Sequence, residues 1–263
     1  MKQFLKRKFR RFVKRFVSYA IRLKLVFYLK IKKIDNVIAF HTVFSELDNS
    51  KVVNYFLPKC EHRHQLSNRE YLLLEIIKRM NKMGHIYTPV PIFYGDSSLI
   101  EKIKSQSSLI VTSIHNGFAF TTKFINSLDR KVATIAAHSI YVKDVVFKRT
   151  GISSEVKVIE RDKFCLVKLI DAVKSCNVIC CDIDFQKSTR EKFIYVSPGL
   201  FIFAHKKNLP LYFARYEISS SGGIEILFKE SDCSKTSEEK LIDFIDFVNS
   251  SRVIKRTLLP SKY

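Results

Sequence analysis

An α/β fold, with a central and mostly parallel β-sheet flanked by helices, is what the sequence predicts. Three observations lead there. Short apolar, β-branched runs recur along the second half of the chain, as in strands buried on both faces. Helical patterns of about ten residues separate them, the alternation of parallel sheets joined by helical crossovers. One such run, Leu109-Ile110-Val111-Thr112-Ser113-Ile114, stops at the polar His115-Asn116-Gly117 and a helical pattern follows. In open α/β sheets ligands bind where a strand opens into a helix at its carboxyl end.

In chain order, residues 1–33 form a basic amphipathic helix. Phe9, Phe12, Val13, Phe16, Val17, Ala20 and Ile21 keep the spacing of one helix face, and no acidic residue precedes Asp35. The segment is too charged to span a bilayer and lacks the apolar run and cleavage site of a signal peptide. Two readings stay open: the helix lies in the interface of an anionic membrane, or its apolar face packs on the domain. Residues 34–263 read as a single α/β domain. Ser67-Asn68-Arg69-Glu70 has the pattern of a capping box for a helix running to Gly84. A strand over 86–93 carries Pro89 and Pro91, which suits an edge. A short helix over 97–104 precedes the strand that ends at His115.

Beyond it, strands are expected over 131–137, 156–159 and 177–183, with helices over 141–149 and 163–174 between them. Residues 187–192 read as a polar, basic link. Ser197-Pro198-Gly199 opens a helix to about His205. Strands over 211–217 and 224–229 flank the turn Ser219-Ser220-Ser221-Gly222-Gly223, and Thr236 opens a last amphipathic helix to Asn249.

A length of 263 residues suits one sizeable domain, and 46% hydrophobic residues suffice for its core. The formal net charge of +21 calls for a polyanion: nucleic acid, an anionic membrane or a phosphorylated substrate. No helix-turn-helix, zinc-finger or RNP pattern accompanies the charge, so a nucleic-acid-binding protein rests on charge alone. Cys180 and Cys181 lie adjacent in an apolar run, the pattern of buried thiols in a reducing compartment. Cys60, His62 and His64 are close in sequence but not at the spacing of a zinc site, and no metal is expected.

No G-x-G-x-x-G, P-loop or G-x-S-x-G motif is present. The remaining chemistry is His115 at one strand end and Asp182 and Asp184 at another. On a parallel sheet those ends share one edge, where a histidine base and supporting carboxylates can meet. A backbone-bonded histidine and two turn or cap aspartates are the structural alternatives.

From Ile110 to Glu217 the chain resembles the lipid A biosynthesis acyltransferase family, a branch of the lysophospholipid and glycerolipid acyltransferases. Ile114-His115-Asn116-Gly117-Phe118 resembles the family's H-x-G-N-W-E block, and Cys181-Asp182-Ile183-Asp184 its strand ending in D-Q-D. Ser197-Pro198-Gly199 and Leu209-Pro210-Leu211-Tyr212-Phe213-Ala214-Arg215 stand where later blocks fall. The resemblance implies a glycerolipid-acyltransferase-like fold and a peripheral place on the inner face of the cytoplasmic membrane. It implies transfer of a fatty acyl group from an acyl-carrier-protein or coenzyme A thioester to a hydroxyl or amine of a lipid, glycolipid or other small acceptor, with no bound cofactor. His115 would be the general base, Asn116 and Gly117 would supply backbone oxyanion donors, and Phe118 and Phe120 would line the acyl pocket. Asp182, Asp184 and His138 would support it. The family's acidic residue, which orients the histidine, falls on Phe120. The site is therefore rewired around another carboxylate, or the chain is an inactive lipid-binding or acyl-binding relative.

Overall fold

A computed structural model describes residues 19–48, 92–115, 120–137, 139–147, 155–175, 177–185, 193–219, 223–254 and 257–261, with seven residues described singly: Phe9, Phe12, Phe16, Leu66, Glu70, Leu74 and Ile152. The chain forms two compact units, one of residues 1–93 with 218–225, the other of residues 94–217 with 226–263.

In the first unit, α1 is α-helical over residues 19–26 and closes as a π-helical turn, Phe27–Ile31. The helix α2 follows at Asn36–Asp48. Ile21 and Leu25 of α1 and Ala39, Phe40 and Val43 of α2 are buried. The opposite row of the N-terminal segment is open. Phe9, Phe12 and Phe16 are helical, and with Tyr19, Leu23 and Phe27 they recur every three or four residues and are all exposed. Glu70 and Leu74 are helical, as the predicted capping-box helix requires, and the rest of that helix lies outside the described residues.

The second unit begins within β1 (Ile92–Tyr94). Next comes α3 (Ser97–Ser105), capped by Asp96, whose carboxylate accepts from the Ser98 and Leu99 N–H groups. The alternation then runs β2 (Leu109–Ser113), α4 (Phe120–Ser127), β3 (Val132–Ala136) and α5 (Ser139–Tyr141, continuing as a π-helical turn, Val142–Phe147). It continues with β4 (Lys157–Glu160), α6 (Cys165–Lys174) and β5 (Val178–Asp182). The sequence predicts an α-helix over 141–149; the π-helical turn there puts a buried Phe147 inside.

After β5 come β6 (Asp184–Phe185), β7 (Phe193–Val196), α7 (Gly199–Lys206), β8 (Leu211–Ile218), β9 (Ile224–Glu230), α8 (Ser237–Asn249) and β10 (Thr257–Pro260). The turn between β8 and β9 is closed by the Ser219 N–H donating to the Gly223 carbonyl at 3.0 Å.

The fold is an α/β fold with a mixed, mostly parallel sheet in the order β1-β9-β8-β2-β5-β3-β4. β2 lies at its centre, parallel to β5 on one side and β8 on the other, and all five of its residues are buried. Covering on both faces is why that run shows no polar alternation. A second sheet, absent from the sequence prediction, runs β10-β7-β6. Its strands of two to four residues are too short to leave a periodic signal.

Packing around Phe244 ties α8 to the sheet. The Phe244 ring meets Phe213 of β8 at 5.4 Å and Phe201 of α7 at 5.7 Å, and all three side chains are fully buried. A capping box sets the start of α8: Glu239 N–H donates to Thr236 Oγ1, and the Glu239 carboxylate accepts from the Thr236 N–H. Phe244→Ala should lower unfolding stability by about 3–5 kcal/mol, read by urea denaturation. Thr236→Ala should cost only about 1 kcal/mol in the same measurement.

Candidate active site

The site is built from the register between two strands. In the parallel pair β2–β5, Thr112 lies opposite Cys181 and Ser113 opposite Asp182. The Ile183 N–H donates to the Ser113 carbonyl at 3.1 Å, so the ladder continues past both strand ends. Residues two apart in a strand face the same way. The same offset of 69 residues that pairs Ser113 with Asp182 therefore pairs His115 with Asp184.

The Ser113 hydroxyl donates to Asp182 Oδ1. Asp184 Oδ1 accepts from the His115 backbone N–H and lies 3.0 Å from His115 Nδ1. The carboxylate thus holds both main chain and ring, and leaves Nε2 as the ring nitrogen Asp184 does not engage. Asp184 is itself held by the small sheet, where it pairs antiparallel with Val196. The Ser197 N–H donates to the Ile183 carbonyl at 3.2 Å, which binds the turn between the carboxylates from the other side.

Exposure divides the dyad. The Asp184 side chain is 7% accessible and the His115 side chain 65%. A nearly buried carboxylate fixes a ring that projects outward. The Asp184 hydrogen bond, with the nearby Asp182 charge adding to it, raises the His115 pKa to about 9; burial pulls it the other way. Burial raises the Asp182 carboxyl above its ordinary value, opposed by the His115 charge and the Ser113 hydroxyl.

Beneath the dyad lies a hydroxyl cluster. Tyr216, at the carboxyl end of β8, sits with its OH 3.3 Å from Ser113 Oγ and also meets Thr121 Oγ1, in the first turn of α4. Thr121 Oγ1 lies 3.4 Å from Ser113 Oγ. Burial and the Asp182 charge raise the Tyr216 phenol well above its usual pKa, so it stays a neutral hydrogen-bonding group. Nothing in sequence spacing marks Tyr216 or Thr121, because only the order of strands brings β8 beside β2.

Of the residues singled out from sequence, the structure unites His115, Asp182 and Asp184. Phe120 is buried in α4 and packs on Tyr216 at 5.9 Å between ring centres. The carboxylate that meets His115 is Asp184, which reaches it from just past the end of β5. Asn116, Gly117, Phe118 and His138 lie outside the described residues, as do Cys60, His62 and His64. Among the described residues no group of three or more His, Cys, Asp and Glu side chains is placed to hold a metal ion. Cys180 and Cys181 are buried free thiols, and burial pushes Cys180 up to about 12, far from thiolate chemistry at neutral pH.

Comparison with protein-family models gave no match, and comparison with curated proteins gave none. The geometry alone is that of an exposed, oriented histidine with one ring nitrogen that Asp184 does not engage, backed by two carboxylates and three hydroxyls at the carboxyl edge of a parallel sheet. Chemically, such an arrangement can take a proton from an incoming group and return it.

Titration of His115 by NMR should give a value near 9, and Asp184→Asn should bring it back toward the ordinary histidine range near 6.5. A pKa raised in the folded state stabilises fully below the unfolded value and is lost as pH rises through the folded one. The stability deficit of Asp184→Asn should therefore be largest near pH 6, shrink as pH rises from about 6.5 to about 9, and be nearly gone above that. A deficit that is constant across that range would show that the pair is not ionic.

Proposed function

We propose that this protein is a peripheral membrane acyltransferase of the glycerolipid-acyltransferase type. It transfers a fatty acyl group from an acyl-carrier-protein or coenzyme A thioester to a hydroxyl or amine acceptor. The observation that carries this reading is the doubly anchored His115. One nearly buried carboxylate holds both its backbone and Nδ1, which is how an imidazole is fixed with Nε2 toward a substrate.

In the reaction, neutral His115 accepts the acceptor's proton at Nε2 as its oxygen or nitrogen attacks the thioester carbonyl. The C–S bond then breaks, and the imidazolium returns the proton to the departing thiolate. Asp184 stabilises the imidazolium that forms. Asp182 adds negative charge and is itself held by Ser113. Backbone N–H groups near Asn116 and Gly117 would receive the developing oxyanion. Phe118 and the buried Phe120 would line the acyl chain, and His138 would supply a further polar group.

The N-terminal segment supports a place on the inner face of the cytoplasmic membrane. Its exposed Phe9, Phe12, Phe16, Tyr19, Leu23 and Phe27 lie in a stretch of sequence dense in Lys and Arg with no acid before Asp35. Bulky apolar groups with flanking cations suit the interface of an anionic bilayer. Among the described residues no helix is long and apolar enough to cross one.

A specific observation favours a second reading, a lipid-binding or acyl-binding protein without turnover. A pKa of about 9 leaves His115 mostly protonated at neutral pH, and a protonated ring is no base. The two readings part on pH. For a catalyst with this base, transfer from a radiolabelled acyl thioester should rise about tenfold per unit of pH below the plateau, which it reaches near pH 9. His115→Ala should abolish transfer while circular dichroism stays unchanged. Full transfer by that variant overturns the mechanism. Stoichiometric retention of acyl chains with no thioester consumed at pH 9 supports the binding protein instead.

A further inference from the structure

The carboxyl edge of the main sheet carries apolar side chains that the fold leaves uncovered. Among the described residues of the second unit, Ile140, Tyr141, Phe164, Leu166 and Val167 are exposed large apolar side chains, and the only others are Phe193 and Ile242. Singly scattered, such residues mean little. These five follow just two strands, Ile140 and Tyr141 after β3, and Phe164, Leu166 and Val167 after β4.

The topology makes those two segments neighbours. β3 and β4 are parallel with Ala136 opposite Glu160, and the Arg161 N–H donates to the Ala136 carbonyl at 2.9 Å. α5 packs against β4. Both segments leave the edge of the sheet that bears His115, since β3 pairs parallel with β5 and β5 with β2. β4 stands three strand spacings from β2, roughly 14 Å. Exposure is pronounced: Ile140 is 76% accessible and Phe164 54%. In α6 the core takes Leu169 and Ala172, and the first turn with Leu166 and Val167 is left outward.

Charge at this rim is positive. Lys143, Arg161 and Lys163 hold no ion pair among the described residues, and the Lys163 ammonium lies 5.1 Å from the centre of the Phe164 ring. Among the described side chains the acids there, Glu160 and Asp162, both face Lys168, which pairs with Asp162 at 2.7 Å. Large apolar side chains beside cations that hold no ion pair among the described residues match a bilayer interface with anionic headgroups. The whole-chain charge of +21 pulls the same way.

We propose that this rim, formed after β3 and β4, docks the carboxyl edge of the sheet on an anionic lipid bilayer. It belongs to the second unit, whereas the exposed row of the N-terminal segment belongs to the first. It rests on the acyltransferase reading only for its purpose, which is to let a lipid reach His115 without passing through water. The docking itself requires no chemistry.

The chain contains no tryptophan, so Phe164→Trp places a lone indole on the rim. The full-length variant is mixed with phosphatidylglycerol–phosphatidylcholine vesicles whose acyl chains carry bromine. The expected result is a blue-shifted emission quenched roughly twofold by the brominated chains, reduced when phosphatidylglycerol is omitted. Adding Leu166→Glu and Val167→Glu should remove the quenching. Chains that float with the vesicles while the indole stays unquenched overturn the proposal, because attachment then runs through another surface. So does an indole that responds to an acidic carrier protein and not to lipid. Quenching must survive His115→Ala, so a failure of acyl transfer and a failure of docking are read separately.

Discussion

Parallel pairing of β2 with β5, in a register that continues beyond both strands, is the constraint on which the rest of the site depends. Two side chains on one strand face meet two on the other, at Ser113–Asp182 and His115–Asp184. A shift of one residue would turn both carboxylates to the opposite face. The register is held by burial, since β2 is enclosed on both faces and an apolar strand in that position tolerates no slip. It is extended by the small sheet, which takes over the chain at Asp184 just where the main ladder ends. The β10-β7-β6 sheet thereby has a role beyond packing: it keeps a carboxylate at a fixed height under an exposed imidazole.

This arrangement sets up a tension between orientation and basicity. The interactions that hold His115 in place also stabilise its proton, because a carboxylate that fixes the ring favours the imidazolium. A stronger base is obtained, at the cost of a small neutral fraction near pH 7. Beneath it, the uncharged Ser113 hydroxyl donates to Asp182, and Thr121 and Tyr216 in turn hydrogen-bond Ser113 and each other. The buried Phe120 ring packs on Tyr216 and belongs to the wall of the hydroxyl cluster.

Two surfaces beyond the site share one chemistry. The N-terminal segment and the rim after β3 and β4 both expose large apolar side chains among cations. Neither is explained by packing within its own unit. The opposite faces of the same elements, at Ile21 and Leu25 in α1 and at Leu169 and Ala172 in α6, supply the burial that holds each helix down. Each helix is thus apolar on more of its circumference than its own unit covers.

The amino-acid sequence by itself determined the α/β class, because buried parallel strands and amphipathic crossover helices leave opposite periodicities in a one-dimensional pattern. It determined the position of His115 at a strand end and of Asp182 and Asp184 at another, since an apolar run broken by polar residues marks such an end. Helix limits were legible where local chemistry encodes them, as in the Thr236–Glu239 capping box and at Gly199 after Ser197-Pro198. Only the tertiary structure decided which carboxylate meets the histidine, because that follows from an inter-strand offset of 69 residues that no local pattern carries. It alone brought Tyr216 beside Ser113, since neighbours in a sheet are chosen by topology. The strands β6, β7 and β10 were illegible for the same reason: each is too short to show a period, and pairing with one another is what makes them strands.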